Sequence, residues 1–230
     1  MSDFVLSAAE AESRLKQTRA AMAAAAVECG RNPEEITLLG VSKTFPAEAV
    51  KTYLAAGLHD FGESYIQEAR EKAADLADYS LNWHFIGHLQ ANKAKYAAAM
   101  FSTIHSVDNL GLAKELNRRA AALNKKIEIY IQVNISGEAS KSGLEPSGLP
   151  MLIDGLSELS SLVPKGLMTM PPYDPNPELS RPYFAALRKL RDEQAPHLSG
   201  LSMGMSGDFK VAIEEGATVI RVGTALFGPR

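Results

Sequence analysis

The stretch Ile36-Thr-Leu-Leu-Gly-Val-Ser-Lys-Thr-Phe-Pro46 sets a pattern that the rest of the chain repeats. It begins with an apolar run, which is typical of a buried strand. Pro46 then stands where a helix can begin, and Val50, Tyr53 and Leu54 follow at helical spacing. A strand, a polar turn and an amphipathic helix therefore form the repeating unit.

Eight such strand signals alternate with helices along the chain, and a helix over about 7–29 precedes the first of them. The predicted strands are 36–43, 59–64, 81–87, 103–107, 127–133, 166–170, 198–205 and 219–227. These strands read as apolar on both faces, as a parallel sheet covered by helices requires. Asp108 and Asp208 are the expected N-caps of the helices after strands four and seven, and Gly216 is the expected stop of the second.

The count of eight favours an α/β fold of the (β/α)8 TIM-barrel type with an extra N-terminal helix. No linker or shift in composition divides the chain, so residues 1–230 are predicted to form a single domain. An open, doubly wound sheet is the alternative fold. The first turn lacks a G-x-G-x-x-G sequence and no G-x-x-x-x-G-K-[ST] loop occurs, so nucleotide binding of those two types is disfavoured.

Charge and cysteine content narrow the class of protein. The net charge is −3 and no basic cluster is interleaved with aromatic residues, so nucleic-acid binding is not expected. Cys29 is the single cysteine, which excludes an internal disulfide and fits a reducing cytosol. The N-terminus does not resemble a signal peptide, and no run of 18 apolar residues could span a bilayer. We therefore expect a cytoplasmic protein without a membrane partner.

Lys43 stands at the end of the first predicted strand, and the carboxyl ends of barrel strands form the working face of the fold. A lysine there is costly to bury unless its amine has a partner or a bound group. Partial burial also lowers a lysine pKa and makes the amine a nucleophile toward carbonyl compounds. From position alone, a lysine that extends out of the barrel mouth is equally consistent.

The loops after strands seven and eight carry a second signal. Such loops are the recurrent phosphate site of these barrels, and Ser206, Gly223 and Thr224 supply hydroxyl groups and close backbone approach there. Gly223 could merely relieve crowding, and Ser206 could be only a helix cap, but two such loops in the right register favour a phosphate site. Closure places strand eight, with Arg221, between the first strand and strand seven. An amine facing a phosphate cradle suits a planar phosphorylated aldehyde.

Several segments, in order along nearly the whole chain, resemble the pyridoxal phosphate homeostasis protein family. They are Val41-Ser-Lys-Thr-Phe-Pro46, Phe61-Gly-Glu-Ser-Tyr-Ile-Gln-Glu68, Trp83-His-Phe-Ile-Gly-His-Leu-Gln-Ala-Asn-Lys93, Gln132-Val-Asn-Ile-Ser-Gly-Glu-Ala-Ser-Lys-Ser-Gly143, Gly166-Leu-Met-Thr-Met-Pro-Pro172, Leu201-Ser-Met-Gly-Met-Ser206 and Ile220-Arg-Val-Gly-Thr-Ala-Leu-Phe-Gly228. The resemblance implies a barrel similar to the N-terminal domain of alanine racemase, with pyridoxal 5'-phosphate (PLP) in the barrel mouth.

The same resemblance assigns roles to five cofactor-binding residues. Lys43 is implied to hold PLP as a Schiff base, and Ser206, Gly223 and Thr224 match positions that hold the phosphate. Arg221 matches the arginine that faces the pyridine nitrogen. A permanent cation there opposes protonation of that nitrogen and weakens the ring as an electron sink, which fits a carrier better than a vigorous catalyst.

Two residues depart from the family pattern. Ser64 stands where asparagine is common, which puts a cofactor contact there in doubt, and Phe45 replaces a frequent second lysine. Lys141, after strand five, is a candidate secondary PLP acceptor, although a solvated loop lysine is the simpler interpretation. His84 and His88 carry no clear metal-site spacing, and His84 reads at least as well as a hydrogen-bonded core histidine.

The resemblance implies a vitamin B6 function: storage, buffering or delivery of PLP to apo-enzymes by a monomeric protein, with no catalytic residue assigned. The alternative is a low-activity PLP-dependent amino-acid racemase. We expect no counterpart of the C-terminal domain that, by the resemblance, completes the alanine racemase active site. A third hypothesis, a phosphate-sugar isomerase barrel without PLP, leaves Lys43 unexplained.

Overall fold

A computed structural model describes residues 6–138 and 141–229, and in it eight parallel strands form a closed barrel in sequence order. The strands are β1 (Thr37–Val41), β2 (Asp60–Glu63), β3 (Asn82–Phe85), β4 (Thr103–Val107), β5 (Ile127–Gln132), β6 (Leu162–Met168), β7 (Gly200–Met205) and β8 (Val219–Val222). Pairing of β1 with β8, from Thr37 opposite Val219 onward, closes the cylinder. The predicted (β/α)8 barrel is confirmed and the open sheet is not formed.

Helices cover the outside of the barrel. They are α1 (Ala8–Glu28), α2 (Ala47–Ala55), α3 (Ile66–Asp75), α4 (Ala94–Met100), α5 (Leu110–Ala122), α6 (Leu149–Leu156), α7 (Arg181–Gln194), α8 (Phe209–Glu214) and α9 (Thr224–Phe227). The first is the predicted extra N-terminal helix, and it begins with a capping box between Ser7 and Glu10. No helix within the described ranges has the length and apolar character needed to cross a membrane.

The strands are generally shorter than predicted, and the largest differences are at β6 and β8. β6 begins at Leu162, four residues before the predicted start at Gly166. Proline argues against a central strand, but Pro164 lies in β6 beside a register shift in its pairing with β5. β8 ends at Val222, and the apolar residues that read as its continuation form the single helical turn α9. Arg14 stabilises that turn by donating to the Leu226 carbonyl, a contact that spans most of the chain.

Two predicted helix caps also need correction. The Asn109 side chain, not Asp108, accepts from the Leu112 amide at the start of α5. Asp208 does occupy the N-cap position of α8, but its carboxylate accepts from the Met205 amide and the Ser180 hydroxyl instead of the helix. It therefore ties the β7 loop to the segment before α7. Gly216, at a φ of 96°, follows α8 as expected.

The hydrophobic core has two layers. The larger lies between the sheet and the helices. The smaller fills the barrel interior with Leu39, Tyr130, Met168 and Val219. The rest of the interior is not apolar as predicted, because buried histidine, serine and arginine side chains project into it and satisfy one another by hydrogen bonds.

Candidate functional site

A large cavity opens where the carboxyl ends of the strands meet, and we call it the mouth cavity. Its volume is about 930 Å³, within the range of small-molecule sites. The five residues predicted to bind a cofactor all line it: Lys43, Ser206, Arg221, Gly223 and Thr224. They come from the ends of β1, β7 and β8, so barrel closure alone brings them together.

Lys43 lies in a tight turn directly after β1. The Ser42 carbonyl accepts from the Phe45 amide at 3.0 Å, and Thr44 has a φ of 70°, in the left-handed region that favours glycine. A non-glycine residue there costs roughly 1–2 kcal/mol, so the surrounding structure must hold it. Phe45 is buried and stacks on Phe227, with ring centroids 5.2 Å apart. The departure from the family's second lysine thus places an aromatic core residue beside a half-buried Lys43.

Ser206 connects the two loops predicted to bind phosphate. Its hydroxyl oxygen accepts from the Gly223 amide at 3.2 Å and from the Ala225 amide at 3.3 Å. Gly204 precedes it with a φ of 91°, and a Cβ there would lie 2.6 Å from the Ala212 Cβ, so this glycine serves close packing of α8. Ser206 therefore presents a polarised hydroxyl to the cavity beside the amides that begin α9.

Arg221 reaches the mouth cavity from inside the barrel wall. It is 3% exposed, and its guanidinium donates to the Ser202 hydroxyl at 2.8 Å and to the Thr169 carbonyl at 2.9 Å. Burial lowers the pKa of Arg221 to about 10. The group therefore remains a cation at neutral pH, held in a fixed orientation.

Behind Arg221, polar side chains cross the barrel interior as one hydrogen-bond chain. His105 Nδ1 lies 2.8 Å from Ser202 Oγ, His105 Nε2 lies 3.0 Å from His84 Nδ1, and His84 Nε2 lies 3.2 Å from Asp60 Oδ1. We call these residues, with Arg221, the interior chain. The interpretation of His84 as a core histidine fits its burial and both its hydrogen bonds.

The direction of each hydrogen bond in the interior chain follows from its two ends, because the Asp60 carboxylate can only accept and Arg221 can only donate. His84 Nε2 donates to Asp60, so with one proton on each ring His84 Nδ1 accepts from His105 Nε2. His105 Nδ1 then accepts from the Ser202 hydroxyl, whose oxygen accepts from Arg221. Burial, followed by the charge of Arg221, holds the pKa of His105 well below its usual range, as a neutral ring requires.

Three further residues singled out in the sequence also line the mouth cavity: Ser64, His88 and Lys141. Lys141 was expected to be a solvated loop lysine, and that interpretation is wrong. Its Nζ is shielded from solvent and lies 3.4 Å from Glu138 Oε1. Ala139 and Ser140, within the family-like segment of this loop, lie outside the described residues.

Within the described ranges, no group of three or more histidine, cysteine, aspartate or glutamate side chains is placed to hold a metal ion. His84 and His88 do not form one, because both ring nitrogens of His84 are engaged in the interior chain.

Comparison with known proteins matches residues 31–230 to the family described as alanine racemase, N-terminal domain. The chain is 46% identical over 224 residues to the pyridoxal phosphate homeostasis protein of Aquifex aeolicus, covering 94% of this chain and 97% of that protein. It is 49% identical over 208 residues to the protein of the same name from Pseudomonas aeruginosa, covering 90% of each.

Solved structures give the same likeness. PipY of Synechococcus elongatus with PLP bound superposes with a TM-score of 0.83 at 37% identity, covering 95% of this chain and all of that one. The PLP-free form of PipY gives a TM-score of 0.85. An alanine racemase from Clostridium difficile superposes with a TM-score of 0.72 at 16% identity, which shows a shared fold and covers 57% of that longer chain.

Proposed function

The chain belongs to the pyridoxal phosphate homeostasis protein family, built on the alanine racemase N-terminal domain, and from this membership we propose that it binds PLP and serves intracellular PLP homeostasis. The observation that carries the proposal is that the predicted binding residues line one mouth cavity. A half-buried lysine, a buried arginine and a hydroxyl-and-amide cradle line one space of about 930 Å³.

The side chains present fit the chemical groups of PLP. The aldehyde calls for a primary amine, and we propose Lys43 for that role. The phosphate calls for hydroxyl and amide donors, and we propose Ser206, Gly223 and Thr224. Adjacent strands of a sheet lie about 5 Å apart, so the loops of β1 and β7, two strand spacings apart through β8, are separated on the scale of a substituted ring.

Attachment would require Lys43 to react as a neutral amine. Its nitrogen would add to the aldehyde carbon, and a C=N double bond, the Schiff base, would form as the aldehyde oxygen departs as water. When bound, PLP supplies a reactive carbonyl carbon and a ring that can withdraw electrons. A cation at Arg221, proposed to face the ring nitrogen, disfavours a second positive charge there and so favours holding over carbanion chemistry.

Titration of the purified protein with PLP tests this proposal. We expect a new absorbance band, distinct from free PLP, that is absent in Lys43→Ala and retained in the cavity-lining control Lys141→Ala. A band that survives in Lys43→Ala would contradict the assignment. Incubation of the PLP-loaded protein with L-alanine separates the carrier from the racemase, since D-alanine formed at ordinary enzymatic rates would overturn the carrier proposal.

We propose further that the protein works in the cytoplasm as a monomer and supplies apo-enzymes with PLP. The transfer is testable by mixing the loaded protein with an apo-transaminase and a PLP-scavenging phosphatase. Activation of the transaminase that resists the phosphatase would support direct delivery, and activation abolished by the phosphatase would contradict it.

A further inference from the structure

The turn that carries Lys43 is held by one buried ionic cluster from β2 and α3. The cluster consists of Glu63, Glu68 and Lys72, and we call it the Lys72 cluster. Lys72 is 5% exposed and Glu63 is fully buried. The Lys72 ammonium lies 2.7 Å from Glu63 Oε1 and 2.7 Å from Glu68 Oε1. Buried charges of this kind are costly unless fully paired, so the arrangement calls for an explanation.

The contacts of the cluster fall on the residues immediately before and after Lys43. Lys72 donates to the Ser42 carbonyl at 2.7 Å, and the Ser42 hydroxyl donates to Glu63 Oε1 at 2.7 Å. On the other side, Glu68 Oε1 accepts from the Thr44 amide. The backbone is therefore held before Lys43 by Lys72 and after it by Glu68, while Glu63 holds the Ser42 side chain.

The strained backbone conformation of Thr44 explains why the turn needs this anchoring. Its φ of 70° is unfavourable for a residue with a Cβ, so the turn does not adopt this shape through local preference alone. A carboxylate on the Thr44 amide and an ammonium on the Ser42 carbonyl hold both ends of the strained segment. The direction in which the Lys43 side chain leaves the backbone is thereby set by β2 and α3.

Lys72 is itself unsuited to reaction with an aldehyde. Its Nζ donates to three acceptors: the Ser42 carbonyl, Glu63 and Glu68. Three donated hydrogen bonds require the protonated ammonium, which has no lone pair for nucleophilic attack.

We propose that the Lys72 cluster aims the Lys43 amine into the mouth cavity, with Glu63, Glu68 and Lys72 as positioning residues and Lys72 kept as an unreactive ammonium. The proposal rests on the proposed attachment of PLP to Lys43. It adds that the reaction of PLP with Lys43 and not with Lys72 is determined by β2 and α3, and not by the cavity alone.

The first test uses stopped-flow absorbance to follow Schiff-base formation. We expect Glu68→Ala to slow formation at least tenfold, and Glu68→Gln to restore most of the rate because its amide oxygen can still accept from Thr44. The control is Glu115→Ala in α5, since Glu115 has the same 24% side-chain exposure and the same i,i+4 pairing with a basic residue. Parental rates in folded Glu68→Ala would overturn the proposal.

A second readout needs no PLP. Hydrogen exchange of the Thr44 amide in the PLP-free parent protein should be slow, and it should accelerate in Glu68→Ala but not in Glu115→Ala. Fast exchange in the parent protein would contradict the anchoring of the turn by the Lys72 cluster, even if Glu68→Ala failed to fold. In Lys43→Ala treated with PLP and borohydride, the Lys72 peptide should stay unmodified, and a PLP adduct on Lys72 would contradict its assigned role.

The two proposals fail in distinguishable ways. If the parent protein forms no adduct at Lys43, the proposed function is wrong, and hydrogen exchange of the Thr44 amide still tests whether the Lys72 cluster anchors the turn. If the parent forms the adduct and the Glu68 variants match it in rate, the function stands and the positioning role is wrong.

Discussion

Ser206, which we propose as a phosphate ligand, also connects two loops of the fold. Its oxygen accepts from the amides of Gly223 and of Ala225 in α9, which polarises its own O–H toward an anion in the mouth cavity. A hydrogen bond to a charged group contributes about 1.5–3 kcal/mol. Loss of this hydroxyl should therefore be felt mainly by ligands that carry a phosphate.

We expect Ser206→Ala to weaken the affinity for PLP by about tenfold or more, in line with the loss of one charge-assisted hydrogen bond. Pyridoxal, which has the aldehyde but no phosphate, is the matched ligand and should bind the variant and the parent equally. Equilibrium titration with both ligands measures the difference. An equal loss of affinity for both would place Ser206 outside the phosphate site.

Residue by residue, the sequence located single groups better than their partners. Lys43 and the Ser206 loop could be predicted because each follows a strand, and strand ends share a face in a barrel. The interior chain could not, since His105 and Ser202 are 97 residues apart and each looks like an isolated polar residue in an apolar strand. Glu63, Glu68 and Lys72 were missed for a different reason, because charged residues on helices and strands usually face solvent.

At the scale of elements, the interior chain links five strands through neutral histidines. Its order requires His105 to keep an unprotonated Nδ1, and burial lowers the pKa of His105 well below 6.5 in the folded protein. Just below pH 6.5, His105 therefore binds a proton in the unfolded chain but not in the folded protein. The contribution that neutral His105 makes to the free energy of unfolding is fully present above pH 6.5 and is lost as the pH falls below that value.

The pH dependence of unfolding tests this coupling. Between pH 7.5 and 5.5 we expect His105 to account for a loss of up to about 1.4 kcal/mol in the free energy of unfolding. His105→Gln, which keeps a neutral polar group, should remove that component of the slope in urea denaturation. The exposed His197→Gln should retain it, and an unchanged slope in His105→Gln would contradict a neutral buried His105.

Secondary structure was predictable where local pattern decides it and failed where distant contacts do. The eight strands and the main helices follow apolar periodicity. The single turn α9 does not, because its carbonyl end is satisfied by Arg14 and Tyr53 from α1 and α2. Pro164 likewise suggests a break, yet a register shift between β5 and β6 accommodates it.

At the scale of the whole molecule, α1 covers the seam where β1 meets β8. It packs against α2, α8 and α9, and Arg31, just beyond its end, donates to the carbonyls of Ile213 and Ala217 at 2.8 Å each. The extra helix thus ties the first and last units of the barrel together. Both loops predicted to carry PLP contacts from β1 and β8 lie beside this seam.

Loss of packing at the seam should destabilise the protein strongly. Leu15, 2% exposed, lies in the core contact of α1, and Leu15→Ala should lower the free energy of unfolding by about 2–5 kcal/mol. Val27, 66% exposed on the same helix, is the control, and Val27→Ala should change it by less than about 0.5 kcal/mol. Equal small effects in urea denaturation would mean that α1 does not hold the seam.

The proposed attachment of PLP to Lys43 can be measured by reductive labelling. The full-length protein is incubated with PLP, reduced with borohydride, digested and mapped by mass spectrometry. We expect a phosphopyridoxyl group on the peptide containing Lys43 and none on the peptide containing Lys72. An unmodified Lys43 peptide, with the label on another lysine or on none, would contradict it.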